Sequence, residues 1–229
     1  MKFYQSFVDI LNAKEATDVK DSIDGPTTKQ LANGVFREML LAEHGKTIEM
    51  IKAMAPSLAG AIRKPQRLLH DDEDYYVAID SMTDTFYVCY RELLMIDIDF
   101  YKDMSTIELM VDHFKDYCAK HPGLKFKLYK SRNGIHGFLV SRRSKYTDEQ
   151  TLALQLDLQS DFYYVVYSYL RGWSVRLNKK ATDTKDELYE YLCDVGDGLA
   201  DEHLLKLVNL HLELVIVFRH APTNTMFGK

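Results

Sequence analysis

Cysteine is scarce: Cys89, Cys118 and Cys193 are the only three in 229 residues. Three cannot build a disulfide framework, and none sits in a C-x-x-C pair, so the chain reads as intracellular, in the cytoplasm or the nucleus, with reduced, mostly packed thiols. A four-ligand Cys/His zinc module is missing as well. His113, Cys118 and His121 come nearest, but spacings of five and three do not bring all of them onto one helical stripe, and there is no fourth ligand. No stretch approaches the ~20 apolar residues of a membrane span, so no membrane partner is expected. The opening Met-Lys-Phe-Tyr-Gln-Ser reads as no signal peptide. Internal repeats and low-complexity tracts are absent too. The chain instead carries 46% hydrophobic and 28% charged residues, enough for one sizeable globular unit or a catalytic domain with a small extension.

Acidic residues are missing from two long segments. From Tyr117 to Thr147 the sequence holds eight basic residues (Lys120, Lys125, Lys127, Lys130, Arg132, Arg142, Arg143, Lys145) and no Asp or Glu. From Phe162 to Thr182 it holds four more, Arg171, Arg176, Lys179 and Lys180, again without an acid. With a net charge of -5 overall, +12 in these segments leaves -17 elsewhere. Such segregation is what a polyanion site on a solubilising surface requires, although two solvated hairpin faces would give the same count.

Apolar residues at three- and four-residue spacing predict helices over 3–14, 27–43 and 46–62. The acidic cluster His70–Asp74 then reads as an exposed loop. Beyond it, Tyr75–Ile79, Phe86–Tyr90 and Leu93–Asp99 read as strands. Ser105-Thr106-Ile107-Glu108 forms a capping box that opens a helix running to about His121, before Pro122-Gly123. Leu124–Lys130 and Ile135–Arg142 read as a hairpin whose turn chemistry comes from Asn133-Gly134. A helix opens near Thr147, Trp173–Asn178 is the last core strand, and a helical tail starts near Thr184. Strands with hairpins flanked by helices give an α+β class: a helical N-terminal extension over 1–70, a core over 71–182 and a helical C-terminal segment over 183–229.

The chemistry concentrates in Leu93-Leu94-Met95-Ile96-Asp97-Ile98-Asp99. An apolar strand delivers two carboxylates at i and i+2, which project from one face about 7 Å apart at Cα. Like charges so placed are costly without a cation, and a hard, oxygen-seeking Mg²⁺ or Mn²⁺ would relieve them. The plainer alternative is that Asp99 caps the strand and Asp97 pairs with a lysine. About thirty residues on comes Ser131-Arg132-Asn133-Gly134-Ile135-His136, where His136 alternates with Phe138 and Val140. Alone, that histidine would be a buried structural one. Its place beside a tight turn with Lys130, Ser131 and Arg132 suggests donors converging on phosphate oxygens.

The order hhhDhD, helix, strand, S-x-x-G-x-H resembles the archaeo-eukaryotic primase superfamily. Asp97 and Asp99 fall on its first motif, and Ser131, Gly134 and His136 on its second. Arg171-Gly172-Trp173-Ser174-Val175-Arg176-Leu177-Asn178-Lys179-Lys180 looks like the basic strand of the branch containing PrimPol and large-DNA-virus primases, with Asp161 ahead of it as the third acid. Asp157 competes with Asp161, and in another branch the third acid would fall at Ser174. The resemblance covers about residues 75–182.

It implies a primase-polymerase core with RRM-like antiparallel or mixed sheets, and metal-dependent nucleotidyl transfer on a single-stranded DNA or RNA template. Asp97, Asp99 and Asp161 would hold two Mg²⁺ or Mn²⁺ ions. Ser131, Arg132, His136, Arg176 and Lys180 would bind the nucleoside triphosphate, and Lys130, Arg142, Arg143 and Lys179 the template. A helicase or another replication protein would be the protein partner. The rivals are a degenerate primase-like scaffold that only binds nucleic acid, and a two-metal nuclease using the same aspartates.

Overall fold

The computed structural model describes residues 47–53, 67–80, 85–99, 105–178 and 189–219. The helices read over 3–14 and 27–43 lie outside them, as do Lys179 and Lys180. Of the helix read over 46–62, residues 47–53 are described as helix α1.

The β-branched and aromatic runs form two four-stranded sheets in which every neighbouring pair is antiparallel. The first has the order β1 (Arg67–Asp71), β2 (Tyr75–Asp80), β3 (Thr85–Tyr90), β7 (Trp173–Arg176). The second has the order β4 (Met95–Asp99), β6 (Gly134–Leu139), β5 (Phe126–Lys130), β8 (Glu190–Val195). Helices α2 (Ile107–Lys120), α3 (Glu149–Asp157), α4 (Phe162–Arg171) and α5 (Glu202–Phe218) complete an α+β architecture.

Period-two alternation decides which face of each strand is buried. On the first sheet Val77, Phe86, Val88, Tyr90, Trp173 and Val175 share the inner face. Helix α5 packs there, with Phe218 5.1 Å from Phe86 and the His211 ring 5.8 Å from Tyr90. His211 also lies 5.1 Å from Phe138 of the second sheet, so α5 joins the two sheets. Helix α2 covers the opposite face of the second sheet. Its Phe114 sits over Gly137, where an added Cβ would come within 2.6 Å of the phenyl ring. A separate small core unites Ile48 and Ile51 of α1 with Leu152, Leu156, Phe162, Val165 and Val166 of α3 and α4.

Several local expectations change. His70 and Asp71, read as loop, finish β1, and Asp72 closes the turn by accepting from the N–H groups of Asp74 and Tyr75, each at 2.9 Å. Thr106, not Ser105, caps α2, accepting from the Leu109 N–H at 3.3 Å. The stretch 183–229, read as helical, contributes β8 ahead of α5. At the β5–β6 hairpin neither Asn133 nor Gly134 takes a positive φ. Gly134 is there for close approach, since a Cβ would stand 1.8 Å from the Ile98 carbonyl oxygen.

Candidate active site

The register of β4 against β6 pairs Asp97 with His136 and Asp99 with Gly134. Backbone hydrogen bonding explains why this brings side chains together. The N–H and C=O of Asp97 turn away from β6: the N–H donates to Ser160 Oγ at 3.1 Å, and the C=O accepts from the Asp161 N–H at 2.6 Å. Asp97 and His136 are therefore a non-hydrogen-bonded pair, in which Cα atoms lie only about 4.5 Å apart and side chains meet closely. His136 Nε2 is 3.3 Å from Asp97 Oδ1, with the two side chains 15% and 20% exposed, so the contact is shielded yet reachable from solvent. On the other ring edge, His136 Nδ1 is hydrogen-bonded to the hydroxyl of Tyr189. Asp97, His136 and Tyr189 thus form one linear array.

His211 lies beneath that array. It is fully buried, its Nδ1 bonds the Tyr90 hydroxyl at 3.0 Å, and its ring sits 5.1 Å from Tyr189. Burial, reinforced by the neighbouring His136 ring, pushes the His211 imidazole down to about 3. It is neutral at every physiological pH.

Asp161 reaches Asp97 through an irregular helix end. At the close of α3 the Gln159 N–H bonds the Leu156 carbonyl and the Ser160 N–H bonds the Gln155 carbonyl, each at 2.9 Å, with Gln159 at φ 58°. This is the Schellman pattern, built on Gln where Gly is usual. It swings Ser160 and Asp161 against β4. Asp161 is 6% exposed and caps α4, its Oδ1 accepting from the Tyr164 N–H at 2.9 Å. Asp157 points to α2 instead, where its Oδ2 accepts from the Tyr117 hydroxyl at 3.1 Å. Burial and the Asp157 charge hold that hydroxyl well above the ordinary tyrosine value. Tyr164, raised by burial and by Asp97, lies next to the same centre.

Of the residues singled out from sequence, the fold gathers Asp97, Asp99, His136 and the backbone of Asp161. Ser131 and Arg132 lie in the turn beyond Gly134, at the Asp99 end of β4. The other described candidates are dispersed. Arg142 and Arg143 follow the far end of β6, about 20 Å along the strand from Gly134. Arg143 pairs with Glu92 at 3.2 Å and Asp201 at 3.7 Å. Lys130 pairs with Glu190 at 3.6 Å, and Lys127 with Asp194 at 2.8 Å. The basic run of the sequence is thus partly neutralised by β8. Arg176 lies on the outer face of the first sheet, its Nε donating to the Asn178 carbonyl at 2.8 Å. Ser174 occupies the same face and accepts from Arg171.

The donor set on β4 consists of hard carboxylate oxygens, which suits Mg²⁺ or Mn²⁺. Asp97 and Asp99 fit such an ion as two same-face ligands. Among the described residues, no three His, Cys, Asp or Glu side chains group closely enough to hold a metal ion. Asp161 gives one of its oxygens to the α4 terminus.

No family model matches the chain, and no match is found among curated proteins or solved structures. Among the described residues no helix is long and apolar enough to cross a membrane. Site geometry therefore carries the functional argument.

Two participants escaped the sequence reading. Tyr189 fell in a stretch read as helix, and only the β5–β8 register, which sets Tyr129 opposite Tyr191, brings it over His136. Ser160 belongs to a helix break without a Gly or Pro to signal it.

Proposed function

We propose that the protein is a metal-dependent nucleotidyltransferase of the primase-polymerase type, acting on a single-stranded DNA or RNA template. The observation that supports it most is the β4–β6 register, which sets a two-carboxylate strand against a histidine strand whose preceding turn holds Ser131 and Arg132. Asp97 and Asp99 would hold Mg²⁺ or Mn²⁺, with the remaining oxygen of Asp161 as the third carboxylate donor. Bound there, the metal supplies charge neutralisation at the transferring phosphoryl group and lowers the pKa of the attacking hydroxyl.

The chain's own groups do the rest. Asp97 holds His136 by its Nε2 edge, and Tyr189 holds the opposite edge, which fixes the ring for contact with a phosphate oxygen. Arg132, exposed at the turn, adds a planar fork suited to phosphate. Such positioning matters because phosphoryl transfer depends chiefly on orientation and on charge stabilisation.

A primer-extension assay with Mn²⁺, nucleotides and a single-stranded template tests the reading, alongside Mn²⁺ calorimetry. Asp97→Asn with Asp99→Asn should abolish both signals and leave the fold intact. Mn²⁺ binding that survives the double substitution would refute the metal site. The capping role of Asp161 and the ion-paired lysines favour a second reading, a scaffold that binds nucleic acid without catalysis. Single-strand binding by a wild-type protein inactive with every metal and template would select it.

A further inference from the structure

Arg171, the last residue of α4, is held in an unusual setting. Its guanidinium carbon lies 5.6 Å from the centre of the Tyr87 ring and 5.7 Å from that of Tyr167. One terminal nitrogen donates to Ser174 Oγ at 2.8 Å, while Nε is buried without a hydrogen-bond partner. No carboxylate among the described residues pairs with it. Among the described residues the guanidinium commits one of its five N–H donors. A half-buried cation with neither a counter-charge nor a full set of acceptors among the described residues is expensive to keep. The carbonyl end of α4 accounts for a positive charge at this position. It does not account for a clamp of two rings and a hydroxyl that fixes the plane of the fork.

A planar, oriented fork is the donor array that matches a phosphate group. Tyr167 is 37% exposed, which leaves ring surface available beside that fork. Phosphate contact next to an exposed aromatic ring is the pairing that single strands use, with the backbone on the cation and a base stacked on the ring. The position relative to the candidate active site also fits, because Arg171 and Asp97 both bear on the buried Tyr164 hydroxyl. We propose that Arg171, clamped between Tyr87 and Tyr167 and braced by Ser174, binds a backbone phosphate of single-stranded nucleic acid. The choice of ligand rests on the nucleotidyltransferase reading.

The test is fluorescence anisotropy of the full chain with a short labelled oligothymidylate over a salt series. Arg171→Met, which keeps the length of the side chain, should weaken binding several-fold. It should also flatten the fall of log affinity with log salt by about 0.7, the contribution of one single-strand phosphate. Arg171→Lys should keep the slope and lose part of the affinity, because an ammonium cannot present the fork. If Arg171→Met does not fold, Arg171→Lys decides: unchanged affinity at unchanged melting temperature overturns the proposal. Unchanged affinity and slope in a folded Arg171→Met variant overturn it too, as does wild-type protein that fails to bind the oligomer. Weakened Mn²⁺–dTTP binding with unchanged oligomer binding also overturns it, moving the contact to the nucleotide. Mn²⁺ calorimetry of the Asp97→Asn, Asp99→Asn variant is read separately, so loss of the metal site and loss of the Arg171 contact are told apart.

Discussion

Acidification from pH 7 to pH 5 should destabilise this protein through one buried group. His211 has no exposed surface, and its folded value of about 3 lies well below the ordinary 6.5. A base whose pKa is depressed on folding binds a proton more readily when unfolded, so stability falls with pH between 6.5 and 3. Each unit of that interval amounts to about 1.4 kcal/mol. At pH 5 the interval crossed is about 1.5 units, a loss of about 2 kcal/mol, or roughly 4–8 °C in melting temperature for a chain of this size. The groups facing the ring are Tyr90 of β3, His136 of β6 and Tyr189 ahead of β8. The carboxyls of Asp72, Asp194 and Asp201 titrate below their ordinary 3.8, so the stability they contribute is nearly constant across this window. Urea unfolding at the two pH values measures the effect. The control is His211→Leu with Tyr90→Phe, which removes the titrating ring and the hydroxyl bonded to it, so that neither partner is orphaned. That variant should lose the 2 kcal/mol difference. The same pH dependence in parent and variant would refute the assignment.

Asp161→Asn should preserve the α4 cap while removing charge, so nucleotide incorporation is lost with little change in stability. Asp161→Ala should cost a further ~1 kcal/mol in thermal unfolding, and Asp157→Ala should stay active. Gln159→Gly should stabilise the protein by about 1 kcal/mol in urea titration, because a left-handed backbone at that position penalises a side chain. Tyr189→Phe deletes one hydroxyl from the array on His136. It should weaken nucleotide binding several-fold in calorimetry without lowering the melting temperature by more than a few degrees.

The parts of this fold visible in the sequence are those written in local pattern. The aliphatic approach to Asp97 and the alternation around His136 fix strand and face, and a two-residue period leaves little freedom in either. Other features depend on partners distant along the chain. The acids that neutralise Lys127 and Lys130 come from β8, some sixty residues later, so a basic segment in one dimension becomes a mixed surface in three. Gly134 was legible as special but for another reason: Asn-Gly suggests a left-handed turn, whereas the residue is needed for contact with the backbone of β4. The helix break at Gln159 carries no compositional mark, and it alone decides that Asp161 meets Asp97 while Asp157 turns to Tyr117.

The clasp of Ser160 and Asp161 on Asp97 has a consequence for how the molecule meets other molecules. β4 is the outermost strand of its sheet, and an outermost strand ordinarily offers a ladder of open amides on which a foreign strand can grow. Here the rung at Asp97 is already taken from the outside, by a hydroxyl and an amide of the same chain. Extension of this sheet by β-addition is therefore blocked at the one strand that carries both aspartates. The opposite border of the sheet is β8, whose Glu190 and Asp194 are spent on Lys130 and Lys127, and it lies three strands away from the aspartates.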